Sequence, residues 1–262
     1  MLKAWLAHPL TRGLDINDPQ TTHLRRRIIA EKSFLRKIYS EWYSSVAVAI
    51  PSGKEPVLEL GSGAGFLRQY IPDLITSEVF RCPGVDLVLD ATHLPIADAS
   101  LRGIVMTDVL HHIRDSRSFF SEATRCVRPG GVIAMIEPWV TPWSRLVYTK
   151  FHHEPFQPKA SKWELPEGGA LSAANGALPW ILFERDHEQF RREFPEWQLI
   201  RVEPIMPFRY LVSGGVSTRN LMPGWSFPLW KTTENVLRPW MKTLAMFALI
   251  ILVRSELLAN ER

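Results

Sequence analysis

Between Glu59 and Gly65 the chain reads Glu59-Leu60-Gly61-Ser62-Gly63-Ala64-Gly65, an acid closing the apolar run Val57-Leu58 and then a glycine at every second position. Alternating glycines let a backbone turn through positive φ and let a bulky ligand reach the main chain. A dinucleotide loop needs G-x-G-x-x-G/A, with a small third residue for close packing of helix on strand. Here that position is Phe66, and Gly65 comes one residue early. Glu59 would also repel a pyrophosphate and attract a cation. Further along, Glu78 closes a second apolar run, where a Rossmann-like fold hydrogen-bonds ribose hydroxyls. Asp86 is the alternative, because only Arg81-Cys82-Pro83-Gly84 separates this run from the next. Two histidine pairs, His111-His112 and His152-His153-Glu154, invite a metal reading. Neighbouring residues project in different directions and neither H-E-x-x-H nor a Cys/His cluster is present, so no metal is expected. His111 and His112 are either packing groups or general bases. Glu137, at the carboxyl end of a strand where open α/β sheets bind ligands, is a substrate contact, a base or a turn carboxylate.

The order Glu59-x-Gly61-x-Gly63-x-Gly65 resembles motif I of the class I S-adenosylmethionine (SAM) dependent methyltransferases. Three further segments resemble that family in the same order: Asp90-Ala91 with Leu94-Pro95, Val109-Leu110-His111-His112-Ile113, and Arg128-Pro129-Gly130-Gly131 before an apolar strand. The resemblance is closest to the type 11 members and covers residues 55 to 139 well. It implies a SAM site built from Glu59, Gly61, Ser62, Gly63, Gly65, Glu78, Asp90, Ala91, Thr107 and Asp108. Glu59 would face the positively charged end of the cofactor, Asp90 would accept a hydrogen bond from the adenine amino group, and Thr107 and Asp108 would lie near the transferred methyl. His111, His112 and Glu137 are the catalytic candidates.

The elements that must position these residues follow from periodicity and punctuation. Thr21 and Thr22 can cap one long helix bearing Leu24, Ile28, Leu35, Ile38, Trp42 and Val46, ending before Pro51-Ser52-Gly53. Strands are expected at 57–60, 74–79, 85–91, 104–106, 132–137 and 197–202, with a short helix over 66–71. Asp115 or Ser116 starts a helix with Phe119, Ala123 and Val127 on one face, and Asp186 with Gln189 resembles a capping box. Residues 141–179, rich in Pro, Gly, Trp and His, read as a large irregular insertion shaping the substrate pocket. Residues 207–240 form a second irregular stretch, whose Trp and Pro content suits either core burial or a lipid headgroup layer. Residues 244–254 fit a buried closing strand.

The fold class expected is α/β, a Rossmann-like three-layer sandwich. Its mostly parallel seven-stranded sheet has an antiparallel last strand, and an N-terminal helix and insertions in the C-terminal half are added to it. The organisation read is an N-terminal helical extension (1–52), a SAM-binding core (53–140), a substrate-pocket insertion (141–195) and closing strands with an aromatic, Pro-rich insertion (196–262).

Composition agrees with a folded protein: 46% apolar and 22% charged over 262 residues, with a formal charge of +4. Cys82 and Cys126 form neither a C-x-x-C pair nor a disulfide framework, as suits a reducing cytoplasm. The basic run Arg25, Arg26, Arg27, Lys32, Arg36 and Lys37 reads as a solvated helix face or as an attractor of anionic substrate or lipid. No basic-aromatic alternation points to nucleic acid. Residues 1–10 do not read as a signal peptide, and the most apolar stretch, 244–253, is far below the ~20 residues that cross a bilayer. The expectation is a cytoplasmic SAM-dependent methyltransferase acting on a small-molecule or lipid-linked acceptor, with peripheral membrane contact conceivable. A non-catalytic SAM-binding scaffold and an NAD(P)-dependent oxidoreductase are the rival readings.

Overall fold

A computed structural model describes residues 8–256 except 11, 12, 16, 153 and 170. Two helices, α1 (Pro19–Glu31) and α2 (Ser33–Ala49), lead into a seven-stranded sheet in the order β3-β2-β1-β4-β5-β7-β6. Its strands are β1 (Val57–Leu60), β2 (Leu74–Glu78), β3 (Leu87–Val88), β4 (Leu101–Thr107), β5 (Val127–Pro138), β6 (Trp197–Ile205) and β7 (Phe247–Arg254). β1 to β5 pair in parallel, and β7 runs antiparallel between β5 and β6. Strand β1 is buried throughout, and β4 and β7 nearly so; β7 accordingly reads as a nearly continuous apolar run, while β1 and β4 also bury the charged Glu59 and Arg102.

Besides shorter helical turns, the other helices are α3 (Ser116–Cys126), α4 (Pro142–Phe151), α5 (His187–Glu193), α6 (Arg209–Ser213) and α7 (Phe227–Val236). Two aromatic clusters tie helical segments together, one of them reaching β7 through Phe247. Trp42 of α2 meets Phe247 and Tyr210, and Phe120 of α3 meets Phe183, Phe190 and Phe194. Stacked, edge and tilted contacts of this kind add about 0.5–1.5 kcal/mol each beyond the area they bury.

Several expectations need correction. The single long N-terminal helix is two helices, broken at Lys32 (φ −86°, ψ 88°), and its cap is Asp18 with Pro19 at the first position, not Thr21 or Thr22. The break lets the buried Lys32 ammonium donate to the carbonyls of Gly215 (2.6 Å) and Thr218 (3.1 Å). Strand β3 is only two residues long, because Asp86 leaves the strand line to accept from the backbone N–H of Thr76 (2.9 Å) and to pair with Arg68. Arg128-Pro129-Gly130-Gly131 is not a turn before β5. It lies inside β5, where Gly130 at φ +73° absorbs a register shift against β4. Val127 opens β5 rather than closing the face of α3.

The insertion at 141–179 contains α4, whose capping box Thr141-Pro142-Trp143-Ser144 was present in the sequence. Asp186 precedes α5 but makes no side-chain cap. Its carboxylate instead accepts from the Trp163 indole (3.0 Å) and the Arg185 guanidinium (2.7 Å). Cys82 and Cys126 are unpaired and buried. Among the described residues no helix is long and apolar enough to cross a membrane.

Candidate active site

The carboxyl ends of β1, β2 and β4 open on a cavity of about 380 Å³, within the size range of small-ligand sites. Gly61, at φ +69°, starts its floor, and a Cβ there would come within 2.5 Å of Val109 beyond β4. The loop therefore lies tight against the strand-4 exit. Ser62 is turned away from the cavity; its hydroxyl donates to the Glu59 carbonyl and accepts from the N–H of Ser77. Gly63 is also behind the wall, and its N–H donates to Glu78 Oε1 at 2.9 Å. Helix α1 supports the loop from outside, Arg26 donating to the Gly63 carbonyl at 3.1 Å. Helix α2 brings Tyr43 edge-on to Phe66.

The sequence-selected residues Glu59, Gly61, Gly65, Glu78, Asp90, Ala91, Thr107, Asp108 and His112 all line this cavity, whereas Ser62, Gly63, His111 and Glu137 do not. Asp86 points away, toward Arg68. Asp90 also caps a turn, its Oδ1 accepting from the N–H and hydroxyl of Thr92, both at 2.8 Å. Pattern reading missed Tyr39 of α2, Gly168-Gly169, Tyr210 and Ser217, which close the cavity from distant parts of the chain together with Arg25 of the basic run. No local motif marks them; only tertiary packing brings them here.

Acids dominate the electrostatics. Burial pushes the Glu59 carboxyl up to about 7, with the neighbouring Glu78 charge adding to it. Burial also raises Glu78, against hydrogen bonds from the backbones of Gly63 and Val79 that lower it. Asp108 is 37% reached by solvent through the cavity mouth, yet the surrounding walls push its carboxyl up to about 7. Its φ of +64° is a strained conformation for a non-glycine residue, held by its N–H donating to the Ile136 carbonyl at 2.8 Å. Three carboxyls whose pKa values burial raises, Glu59 and Asp108 to about 7, share one enclosure, a site that a cation would relieve.

Beyond Asp108 a 3₁₀ turn, Leu110–His112, carries the two histidines. Glu137 is fully buried. One of its oxygens accepts from the N–H groups of Val109 (2.8 Å) and Leu110 (2.7 Å), and the other meets His111 Nδ1 at 2.7 Å. Glu137 thus touches no cavity surface and positions the turn and its histidine. The opposite edge of the His111 ring faces Glu154, with Nε2 3.6 Å from Oε2. Burial alone would lower the His111 pKa, but its bonds to Glu137 and Glu154 raise it well above the ordinary value. His112 is the reverse case: burial, then the charge of His111, lowers it to about 3. The expected divergence of the adjacent histidines is overturned, since their ring centroids lie 4.2 Å apart. His153, part of the second histidine group, lies outside the described residues.

The sheet order, the antiparallel seventh strand, and a glycine loop with acidic strand ends opening on one cavity define a class I methyltransferase domain. Residues 58–135 match the family model for a methyltransferase domain. Over 116 residues it is 29% identical to a probable S-adenosylmethionine-dependent methyltransferase of Mycolicibacterium smegmatis, covering 39% of this chain and 43% of that protein. The match therefore spans less than half the length of the relative. Among solved structures, geranyl diphosphate C-methyltransferase of Streptomyces coelicolor A3(2), crystallised with Mg2+, geranyl diphosphate and S-adenosyl-L-homocysteine, gives a TM-score of 0.52 at 12% identity, over 95% of this chain and 91% of that one. A geranyl diphosphate methyltransferase bound to GPP and sinefungin gives 0.50 at 14% identity, over 88% and 82%. These likenesses establish the fold.

Proposed function

We propose that the protein transfers a methyl group from SAM to a small-molecule acceptor held in the cavity above Asp108 and His112. The observation that carries this is the convergence of Glu59, Glu78, Asp90 and Asp108 on one enclosure floored by glycines. The donor set fits the cofactor: acids for a cationic end and for hydroxyls, and Val79, Leu89 and Ala91 for a flat ring. When bound, SAM supplies a methyl on a positively charged sulfur. Glu59 would hold the charged end, Glu78 would accept from the ribose hydroxyls, and Asp90 would bind at the adenine. Thr107 and Asp108 would lie beside the transferred methyl, and the enclosure would keep acceptor and methyl in line and exclude water. Glu137 and His111 act from behind, fixing the turn that presents His112.

The test is a calorimetric titration with S-adenosylhomocysteine and with NADH, on the protein and on Gly63→Val. Micromolar binding of the homocysteine compound, lost in the variant and absent for NADH, is expected. NADH binding alone would transfer the assignment to an oxidoreductase. Cofactor binding without turnover across an acceptor panel would leave a non-catalytic SAM-binding protein.

A lipid-linked acceptor is a second reading, favoured by one feature. Trp225, Leu229, Val236 and Trp240 are all more than half exposed along the α7 region, and Trp is favoured at headgroup depth. The basic N-terminal run lends this reading less than its charge suggested, because Arg26, Lys32 and Lys37 are bonded to backbone carbonyls of the protein itself. Flotation with vesicles should lift the protein and fail for Trp225→Ser/Trp240→Ser; protein remaining at the bottom of the gradient would end the membrane reading.

A further inference from the structure

The structure assigns a second site to the cavity: a divalent transition-metal site formed by His111 Nε2, His112 Nε2 and the Glu154 carboxylate. One ligand atom from each of the three residues lies within 4.8 Å of the others. The specific separations are 3.6 Å from His111 Nε2 to Glu154 and 3.9 Å from His112 Nε2 to Glu154. Zinc binds nitrogen and carboxylate oxygen at about 2.0–2.2 Å, so two ligands of one ion lie no more than about 4.2 Å apart. Both separations from Glu154 satisfy that limit, and the two histidine nitrogens, within 4.8 Å of each other, come to it with a ring adjustment of a few tenths of an ångström.

The groups behind the ligands argue more strongly than the distances. A metal-binding histidine characteristically donates its other ring N–H to a carboxylate or a backbone carbonyl, which fixes the tautomer and aims the lone pair. Both histidines are arranged that way, the ion taking the place of the proton that His111 Nε2 otherwise turns toward Glu154. His111 Nδ1 is 2.7 Å from Glu137, itself pinned by two backbone N–H groups, and His112 Nδ1 is 3.3 Å from the Ala173 carbonyl. A carbonyl only accepts, so His112 Nδ1 carries the proton and Nε2 presents its lone pair to Glu154. Asp108 Oδ1, 4.0 Å from His111 Nε2, stands at the edge of the group. Two imidazoles and one carboxylate select zinc, cobalt or iron(II) over magnesium, which favours all-oxygen shells. Because His112, Glu154 and Asp108 line the cavity, the remaining coordination positions face the space given to the acceptor. An acceptor oxygen, nitrogen or sulfur would bind there, a consequence that rests on the methyl-transfer reading; metal binding itself does not.

The probe is Co2+, added to tag-free, chelator-treated protein and followed by visible d–d absorption and calorimetry, with Zn2+ as competitor. One Co2+ per chain, displaced by Zn2+ and not by excess Mg2+, is the expected result. His112→Ala and Glu154→Gln should each weaken binding at least 100-fold, and Glu137→Gln roughly 10–100-fold through the lost orientation of His111. Thermal melts of the variants check that each is folded. Glu59→Gln should weaken S-adenosylhomocysteine binding and leave the cobalt spectrum unchanged. Protein that binds S-adenosylhomocysteine but takes up no Co2+ or Zn2+ would overturn the metal site and leave the methyltransferase reading standing. Binding that survives both His112→Ala and Glu154→Gln would place the ion elsewhere and overturn it equally.

Discussion

Glu59 shows at the scale of one residue how a site is set against the stability of its fold. Its carboxyl is almost fully buried, and its pKa rises from 4.5 to about 7. A carboxyl raised on folding favours the folded state while both states are protonated, below about pH 4.5, and loses that contribution as pH rises through 7. At 1.36 kcal/mol per unit the loss amounts to about 3 kcal/mol. Glu59→Gln should therefore raise the melting temperature of the ligand-free protein at pH 8 and scarcely change it at pH 4.5, as read by calorimetric scans at the two pH values. The same variant removes the anion that meets the ammonium group of the amino-acid end, which S-adenosylhomocysteine keeps although it lacks the sulfonium charge. S-adenosylhomocysteine affinity should fall roughly 10–100-fold, the weight of one charged hydrogen bond. In the unaltered protein that affinity should climb as pH passes through 7 and Glu59 ionises. At the same scale, His112→Ala and Glu137→Gln should each lower kcat at least ten-fold while cofactor affinity holds. Turnover near that of the unaltered protein in both would remove any role in the chemical step for this pair.

Elements explain which parts of the site were legible. The glycine loop and the strand-4 exit could be read because they are matters of short-range spacing, whereas the choice between Glu78 and Asp86 needed the fold, which turns Asp86 toward Arg68. The split of the N-terminal helix could not: residues 24–46 keep helical periodicity across Lys32, and the break answers carbonyls nearly two hundred residues away. Glu137 was visible as an acid at a strand end, but its inward direction depends on two N–H groups of the 3₁₀ turn. Glu154 stands in the sequence beside His152, which it also meets in the fold, but its contacts with His111 and His112 come from the turn after β4 and no local spacing announces them. The dependence of the loop on α1 gives a sharp prediction. A Cβ on Gly63 would come within 2.4 Å of Thr22 and 2.5 Å of Glu78. Gly63→Val should cost about 1–3 kcal/mol through overpacking, seen as a lower urea midpoint, and should separate α1 from the loop. If Gly63→Val melts normally and binds cofactor normally, α1 is not the support described above.

For the molecule as a whole, the C-terminal third is fastened to α2 by one buried ionic group. Glu234 accepts from the N–H groups of Phe208 and Arg209 and from the Arg209 guanidinium, which also reaches Glu41 of α2; Lys231 pairs with the same Glu41. Removing one member of a buried pair typically costs about 3–5 kcal/mol. Glu234→Ala should thus lower the melting temperature by roughly 6–20 °C for a chain of this size. Tyr210, on α6 beside this group, lines the cavity, so the variant should also weaken cofactor binding. A melting point within a degree or two of the unaltered protein would show that the group is dispensable.

The place of β7 has a consequence for how the chain is made. Phe247–Arg254 fills the slot between β5 and β6, bonding both along their length. While a ribosome is still delivering residues 139–246, strand β5 has one apolar flank without its partner, and β6 has nothing to pair with. Unpaired apolar strand edges invite pairing with other chains. The nascent protein therefore passes through a long interval of exposure that ends only when its final strand emerges, and chains stopped before Phe247 should accumulate as insoluble material, however intact their glycine loop.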